Sequence, residues 1–288
     1  MNSFLFCTSY IDKDDIRFYP LRYKKWIDYY SKIKEHLGVD YIFIIDDGSI
    51  DVALEESALV EIHSANDDLP AELSKNINVI TFKEHLGRPS IEEHLGWWRS
   101  FTYSIKLAEK YGFEKIIHIE SDFYIVSERL INFIYSLNKG WTSMYSSHYN
   151  FPETAIQIIC NDSFYLLEKA RENAEAVNYR INQLAELTLP FTNVCKDFIG
   201  DRIGEMRVLK QWIFDENGIN GLDFYGQLPT YVRPFSALEF QELKNNVDIT
   251  LNTNDNFNVD IIINILQKNN MIITPPKEDR LYISNSFV

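Results

Sequence analysis

Two short apolar runs, each ending abruptly in acidic residues, constrain this chain more than any other feature. The run from Val39 to Ile45 leads into Asp46-Asp47-Gly48-Ser49, and the run from Lys115 to Ile119 leads into Glu120-Ser121-Asp122. Short apolar runs that break into turn residues predict buried strands. Because open α/β sheets bind ligands at the carboxyl ends of their strands, both acidic turns are predicted to lie at a ligand-binding edge.

A helix is predicted between the first of these runs and an earlier strand at residues 3–9. Pro20 suits a first helical turn, and the apolar residues that follow keep helical spacing as far as Gly38, a natural stop. A strand, a helix and a second strand in this order form a βαβ unit, from which parallel sheets are built.

The alternation of strands and helices continues along the chain as far as the second acidic turn. Residues 50–75 have weak periodicity and are predicted to be helix or loop, and a further strand is predicted at residues 78–82. Ser90 and Glu93 have the spacing of a capping box and open a second helix, which ends at Gly112. Its apolar stripe comprises Ile91, Leu95, Trp98, Thr102, Ile105 and Ala108.

The second half of the chain gives weaker signals. The sequence predicts helices at residues 127–137 and after Asp162 or Ser163, strands at 142–146 and 155–160, and mostly helix over 189–212. No repeat or long linker interrupts it. The predicted fold is therefore α/β, with a mostly parallel central sheet flanked by helices, in a single domain over residues 1–288. Its two functional halves are residues 1–125 and 126–288.

Composition narrows the range of partners. The chain has 288 residues, of which 45% are hydrophobic, and this is enough to bury a substantial core. Its net charge of −14 repels phosphate backbones and anionic lipid surfaces, which makes a nucleic-acid partner an unfavourable hypothesis. An acidic protein that binds a nucleotide diphosphate must neutralise it locally, and a divalent cation with one or two arginines would do so.

The cysteines, the N-terminus and the apolar runs indicate the cellular compartment in which the protein acts. Cys7, Cys160 and Cys195 lack metal-site spacing and lie in mostly apolar segments, so they are predicted to be small core residues. The N-terminus has no basic segment of the kind that begins a secretory signal, and no run approaches the length needed to span a bilayer. Cytoplasmic residence is expected, and a lipid-linked substrate would bring the protein to the membrane face.

The first half, roughly residues 3–125, resembles the GT-A nucleotide-sugar glycosyltransferases. The resemblance is strongest to the inverting, family 2-like bacterial enzymes that build surface polysaccharides. The motifs that carry it are the strand FLFCTSY, the strand that ends in Asp-Asp-Gly-Ser, and the strand that ends in an acid-x-Asp triplet. It implies a GT-A fold and transfer of a sugar from a nucleotide-diphosphate sugar to a hydroxyl of a glycan or glycolipid, with metal dependence and inversion.

The resemblance also implies roles for individual residues. The positions that hold the nucleotide sugar in the family correspond here to Thr8, Ser9, Tyr10, Asp46 and Asp47, and Ser121 is grouped with them. The acid-x-Asp triplet corresponds to Glu120 and Asp122, which would hold Mn²⁺ or Mg²⁺ against the diphosphate, and Asp122 would be the more direct ligand. This triplet begins with Glu, whereas that of the family begins with Asp, which leaves the role of Glu120 open. Taken singly, either acidic turn is also consistent with a helix cap or a solvated turn.

Arginines and further acids complete the predicted site. Arg88 and Arg99 are candidates for a diphosphate clamp, because guanidinium offers a planar fork of donors, although a surface pair between Arg88 and Glu92 or Glu93 is an equally good interpretation. Inverting transfer needs a general base, which the family places in the second half. The candidates are Asp201, Asp197 and Glu205, with surface charge as the alternative for Asp201.

Other residues and other functions remain as alternatives. Trp97 or Trp98 is expected in the core, with sugar stacking as the less favoured role, and His118 is expected to be a buried, hydrogen-bonded histidine. His148 is a weak candidate for sugar contact. A sugar nucleotidyltransferase is disfavoured, because the loop after the first strand lacks the glycines of a phosphate loop. A non-catalytic protein of the same fold that binds a glycan, a nucleotide or a partner enzyme stays open.

Overall fold

The computed structural model describes residues 1–10, 19–49, 59–90, 92–147, 149–202, 223–227, 232–234 and 271–273. The helices are α1 (Tyr19–Ile33), α2 (Leu95–Tyr111), α3 (Glu128–Ser136), α4 (Phe164–Ala176) and α5 (Ala185–Thr188). The strands are β1 (Ser3–Ser9), β2 (Tyr41–Asp46), β3 (Val60–Ser64), β4 (Ile77–Thr81), β5 (Lys115–Ile119), β6 (Tyr124–Ile125), β7 (Trp141–Ser146), β8 (Phe151–Cys160), β9 (Asn193–Cys195), β10 (Gly200–Arg202), β11 (Phe224–Gly226), β12 (Val232–Pro234) and β13 (Met271–Ile273).

An eight-stranded sheet organises the first part of the chain, in the order β3-β4-β2-β1-β5-β8-β7-β9. The strands from β3 to β5 in this order are parallel to their neighbours, β8 is antiparallel to both β5 and β7, and β9 is parallel to β7. The predicted fold class, α/β with a mostly parallel sheet, is confirmed. β1 lies in the middle of the parallel part, with β2 and β5 on either side.

Helix α2 covers one face of this sheet. Its buried stripe contains the residues predicted from spacing, among them Trp98, Ile105 and Ala108, and Phe101 lies beside Trp98 on the same face. They pack with Phe4 and other aromatic side chains of the parallel strands. The helix ends at Gly112, whose φ of 68° places it in the left-handed region, as predicted. This packing fixes the first turn of α2 near the carboxyl ends of β1, β2 and β5.

The chain divides into two compact units. The first comprises Met1–Ser121 and Phe133–Asp197, and the second comprises Asp122–Asn132 and Phe198–Val288. Within the second unit, β10, β11 and β6 form a three-stranded sheet, and β12 pairs with β13. Asp223 links its parts, because it accepts hydrogen bonds from Ser127, Arg129 and the backbone of Ile199. The assignment of residues 1–288 to a single domain remains a prediction.

Three local predictions differ from the structure. The described part of residues 50–75 contains strand β3 at the sheet edge, where only Val60 is fully buried, so that its apolar signal is weak. The described part of 189–212 holds strands β9 and β10 instead of helix. Helix α2 begins at Leu95, because Ser90 accepts hydrogen bonds from the backbones of Glu92 and Glu93 in a separate turn. Ile91, His148 and residues 203–212 lie outside the described residues.

Candidate functional site

The carboxyl ends of three adjacent parallel strands meet at one edge of the sheet. Ser9, at the end of β1, lies opposite Asp46, at the end of β2, and Glu120 directly follows β5 on the other side of β1. Asp47 is tied to β1, because its backbone N–H donates to the Ser9 carbonyl at 2.7 Å. The predicted placement of both acidic turns at strand ends is therefore confirmed for Asp46, Asp47 and Glu120.

A cavity of about 330 Å³ opens at this edge. It is bounded by the end of β1, the loop after β4 and the first turns of α2. Its size is near the lower end of the range for small-molecule sites, which suits a nucleoside or one sugar ring. The lining residues are Thr8, Ser9, Tyr10, Asp47, His85, Gly87, Arg88, His94, Gly96, Trp97 and Ser100.

The Asp46 carboxylate stabilises the turn that follows β2 and does not line this cavity. Its side chain is buried, and Oδ2 accepts hydrogen bonds from the backbones of Gly48 and Ser49 at 3.1 and 2.8 Å and from the Thr81 hydroxyl at 2.9 Å. Gly48 has a φ of 81°, and a Cβ there would meet the Glu84 backbone at 2.7 Å, so this turn requires glycine. The structure therefore gives Asp46 a turn-forming role, and its predicted contact with a nucleoside stays a prediction.

Asp47 lines the cavity and holds the loop beyond β4. Its Oδ2 accepts hydrogen bonds from the backbones of Leu86 and Gly87 at 3.2 and 2.9 Å, and Arg99 donates to Oδ1. His85 Nδ1 lies 3.0 Å from the same Oδ2. Most of the acceptor capacity of this carboxylate is used by the protein, because a carboxylate offers about four lone-pair positions.

The two candidate arginines occupy different environments. The side chain of Arg99 is only 11% exposed and is engaged by Asp47, by the Glu84 carbonyl and by the Phe82 ring at 4.0 Å. It does not line the cavity, so the structure gives it a role in supporting Asp47. Arg88 is exposed and lines the cavity, and its Nε donates to the Ser90 carbonyl at 3.1 Å. Of the predicted clamp, only Arg88 faces the space where a ligand would bind.

Glu120 is surrounded by hydrogen-bond donors. The Thr8 hydroxyl lies 2.9 Å from both carboxylate oxygens, and the Trp97 indole N–H donates to Oε1. Nε2 of His118 lies 3.2 Å from Oε1, but its geometry does not make a hydrogen bond. His118 is fully buried and its Nδ1 lies 3.2 Å from the Thr154 carbonyl. It is buried as predicted, and one ring nitrogen is satisfied.

The electrostatics of Glu120 follow from these contacts. Burial raises the pKa of Glu120, but attraction to the nearby His118 ring and the hydrogen bonds from Trp97 and Thr8 outweigh burial and hold the pKa below its usual value. The carboxylate is therefore ionised at neutral pH. Among the described residues, no cluster of three or more His, Cys, Asp or Glu side chains is arranged to hold a metal ion.

Aromatic side chains and a buried hydroxyl form the walls of the cavity. Tyr10 and His85 stack with their ring centroids 3.5 Å apart, and Trp97 stacks on Phe101 at 4.7 Å. Ser100 is fully buried in α2, and its hydroxyl has no hydrogen-bond partner among the described residues. An unmatched buried hydroxyl costs stability unless a ligand or water satisfies it, so Ser100 marks a position where a polar ligand atom would be favourable.

Of the other predicted site residues, those whose side chains the structure describes do not line this cavity. Ser121 is buried in the turn after β5, and Asp122 is partly buried and opens the second unit. Asp197 is exposed after β9, with Oδ2 3.8 Å from the Cys195 sulfur. The backbone of Asp201 lies in β10, where Asp201 pairs with Tyr225 of β11. Glu205 lies outside the described residues.

Several lining residues were missed by the sequence analysis. His85 and Gly87 lie in a loop without a recognisable motif, whereas His94, Gly96, Trp97 and Ser100 share one face at the start of α2. Trp97 lies three residues after His94, and Ser100 lies three after Trp97 and four after Gly96. This spacing was a usable signal, since residues three or four apart lie together on a helix. Trp98 is in the core, as expected, and Trp97 lines the cavity, whereas sugar stacking by a tryptophan stays a prediction.

Comparison with known proteins gives matches among solved structures. No protein-family model matches the sequence, and the search of curated proteins gives no match. Among solved structures, the chain is similar to a glycosyltransferase involved in the glycosylation of the major capsid of PBCV-1, with 10% identity, a TM-score of 0.40, and coverage of 78% of this chain and 92% of that one. It is also similar to the glycosyltransferase GlyE of Streptococcus pneumoniae TIGR4, over 80% of this chain.

The apo form of GlyE has 12% identity and a TM-score of 0.42, and a second GlyE structure has 11% and 0.43. The chain spans 55% of the length of GlyE. At this identity and overlap, no activity or substrate passes from these proteins to this chain, and the proposals below rest on its own residues. Among the described residues, no helix combines the length and apolar character that crossing a membrane requires.

Proposed function

We propose that this chain is a glycosyltransferase that moves a sugar from a nucleotide-diphosphate sugar to a hydroxyl of a glycan or glycolipid. The observation that carries the proposal is the cavity at the carboxyl ends of β1 and β2, with aromatic walls, an anchored carboxylate and a buried hydroxyl that has no partner within the described part of the chain. A ligand with flat apolar faces and many hydroxyls matches these walls. Nucleosides and sugars both have this character.

The nucleoside is proposed to occupy the part of the cavity near Tyr10. The ring of Tyr10 stacks on His85, and this aromatic pair is proposed to form the wall against which the base stacks. Asp47 is held rigidly by the loop beyond β4 and retains limited capacity to accept one hydrogen bond from a base or ribose. The Ser100 hydroxyl would satisfy its hydrogen bond with the ligand.

The diphosphate is proposed to lie near Arg88 and His94, which line the same cavity. A guanidinium suits phosphate oxygens because of its planar fork of donors. The chain as a whole has a net charge of −14, so cationic groups at the site must compensate locally for the anionic ligand. Arg88 is therefore the residue proposed to contact phosphate directly, and Arg99 is proposed to act only through Asp47.

A divalent cation, Mn²⁺ or Mg²⁺, is proposed to assist the reaction, with Asp122 as its candidate ligand. Such an ion would stabilise the departing diphosphate. Glu120 fits a ligand role poorly, because N–H and O–H donors already surround its carboxylate. Inversion at the sugar, Asp201, Asp197 or Glu205 as the base, a role in bacterial surface polysaccharide synthesis and cytoplasmic residence remain predictions from the sequence.

A thermal-shift screen tests this proposal. Purified protein would be heated with UDP, GDP, CDP and dTDP sugars and with CMP sugars, each in Mn²⁺, Mg²⁺ or EDTA, because a ligand that binds the folded state raises its Tm. We expect one nucleotide class to raise the Tm and Arg88→Ala to reduce this shift, with Lys110→Ala, an exposed position at the other end of α2, as the matched control. If no nucleotide sugar raises the Tm, the transferase proposal is wrong and a binding protein for another ligand is favoured.

A further inference from the structure

Glu120 occupies the position that the sequence motif gives to a metal ligand, but its surroundings are those of a structural anchor. A hard cation such as Mg²⁺ is bound by oxygen atoms, often from several groups. The groups within reach of the Glu120 carboxylate are a hydroxyl donor on Thr8, an indole donor on Trp97 and the ring nitrogen of His118. A cation beside this carboxylate would meet the positive ends of the Thr8 hydroxyl and Trp97 indole dipoles.

Two of these donors belong to side chains that line the cavity. Thr8 lies at the end of β1 and Trp97 in the first turn of α2, and Glu120 follows β5, so one carboxylate joins three separate elements. Hydrogen bonds to an ionised acceptor are about twice as strong as neutral ones, which makes the carboxylate an effective clamp.

The Trp97 ring is fixed from two directions. Its face stacks on Phe101, with ring centroids 4.7 Å apart and an angle of 5° between the planes, while its N–H is held by Glu120. Stacking sets the plane of the ring, and the hydrogen bond to Glu120 sets its rotation within that plane. A flat wall with a fixed orientation loses little entropy when a ligand binds against it, and this increases affinity.

We propose that Glu120 is a positioning residue that orients Trp97 and Thr8 in the cavity, and that it is not a metal ligand. The inference rests on the proposed function for the identity of the ligand, but the contact between Glu120 and Trp97 is independent of it. Removing the charge of Glu120 then weakens the binding of the nucleotide sugar equally with and without a divalent cation. A metal ligand would show the opposite pattern, with loss confined to samples that contain the cation.

The test uses the indole N–H signals of ¹⁵N-labelled protein. The chain has five tryptophans, so the spectrum is simple, and Trp97→Phe assigns the Trp97 signal. Glu120→Gln keeps the size of the side chain and removes its charge, and we expect it to move the Trp97 signal upfield because the hydrogen bond weakens. Glu114→Gln, at an exposed glutamate just before β5, is the matched control and leaves the signal unchanged.

The second readout is the affinity for the nucleotide sugar that gives the largest thermal shift, measured by calorimetry in Mg²⁺ and in EDTA. We expect Glu120→Gln to weaken binding about tenfold in both buffers, which corresponds to the loss of one charge-assisted hydrogen bond. An unchanged Trp97 signal, or a loss seen only in Mg²⁺, would overturn the proposal. If no nucleotide sugar binds the wild-type protein, the proposed function fails, and the indole signal still decides the role of Glu120.

A second variant covers the case in which Glu120→Gln does not fold. Thr8→Val keeps the shape of the side chain and removes the hydroxyl that contacts both oxygens of Glu120. We expect the Trp97 signal to move in this variant also. Without the Thr8 hydroxyl, the Glu120 carboxylate accepts one donor fewer, and the strength of its hydrogen bond from Trp97 changes. A Thr8→Val spectrum identical to that of the wild-type protein would show that Thr8, Glu120 and Trp97 do not form one unit.

Discussion

At the scale of single residues, the two aspartates of the first acidic turn have different tasks. Asp46 is 1% exposed and is saturated by donors from its own turn and from Thr81, whereas Asp47 lines the cavity and restrains the loop beyond β4. One motif thus supplies a structural carboxylate and a ligand-facing carboxylate. The distinction depends on the direction in which each side chain leaves the strand end.

Replacement of Asp46 tests its structural role. Asp46→Ala leaves the N–H groups of Gly48 and Ser49 without their acceptor, and we expect the free energy of unfolding to fall by about 1–3 kcal/mol. Asp46→Asn should change it much less, because the amide oxygen can replace Oδ2 and the Ser49 hydroxyl can turn to accept from the amide. Urea denaturation measures both. Equal losses for Ala and Asn would show that the charge of Asp46, and not its acceptor oxygen, matters.

The pH dependence of stability gives a separate test of Asp46. Burial raises its pKa above 3.8, the ordinary value, and the hydrogen bonds from Ser49, Thr81 and Gly48 offset this only in part. The folded state therefore holds the proton to higher pH than the unfolded state. The resulting stability is fully present below 3.8 and is lost as the pH rises through the raised pKa.

We accordingly expect the wild-type protein to lose stability relative to Asp46→Asn as the pH rises above 3.8. The measurement is urea denaturation of both proteins at a series of pH values, analysed as the difference between them, so that other carboxylates cancel. A difference that does not vary with pH, or that varies in the opposite direction, would contradict the assigned direction of the pKa shift.

At the scale of secondary-structure elements, the first turn of α2 must approach Asp47 very closely. A Cβ at position 96 would lie 1.9 Å from Oδ2 of Asp47. In most helices, replacing Gly by Ala stabilises by up to about 1 kcal/mol, but here we expect Gly96→Ala to destabilise by about 1–3 kcal/mol through overpacking. It should also weaken binding of the nucleotide sugar, because Asp47 must move.

Urea denaturation and calorimetry measure these two effects. Glu109→Ala, at an exposed position in the same helix, is the matched control and should leave both stability and binding nearly unchanged. A Gly96→Ala variant that is as stable as the wild-type protein would show that α2 and Asp47 are not in the close contact described.

The elements also show what the sequence could and could not predict. The central strands and α2 were predictable, because strands buried on both faces are continuously apolar and α2 has a wide apolar stripe. Strand β3 was not predictable, because it lies at the edge of the sheet with mostly half-buried residues and therefore lacks a continuous apolar run. β9 is a three-residue strand that depends on pairing with β7, and such tertiary pairing overrides local propensity.

The candidate site was predictable only in part, because some of its contacts depend on how the elements pack. Asp47, Thr8 and Glu120 stand at strand ends, where the pattern of apolar runs fixes their position. The contact between Glu120 and Trp97 joins residues 23 positions apart, and the loop that carries His85 has no periodicity. Contacts of this kind depend on how elements pack, which local sequence patterns do not encode.

At the scale of the whole molecule, the three thiols should report on global unfolding. Cys7, Cys160 and Cys195 are all buried, as predicted, and burial raises the pKa of Cys160 to about 11. Since the thiolate is the reactive form, we expect almost no reaction with a thiol reagent in the native protein and reaction of all three in denaturant. Rapid reaction of one thiol in the native protein would show local opening around it.

The cavity at the ends of β1 and β2 is proposed to bind the nucleotide of a sugar donor. A crystal structure of the protein with the nucleotide sugar selected by thermal shift tests it most directly. We predict that the base will lie against Tyr10 and that a ligand oxygen or nitrogen will lie within hydrogen-bond distance of the Ser100 hydroxyl. A nucleotide bound elsewhere, with this cavity empty, would contradict the account.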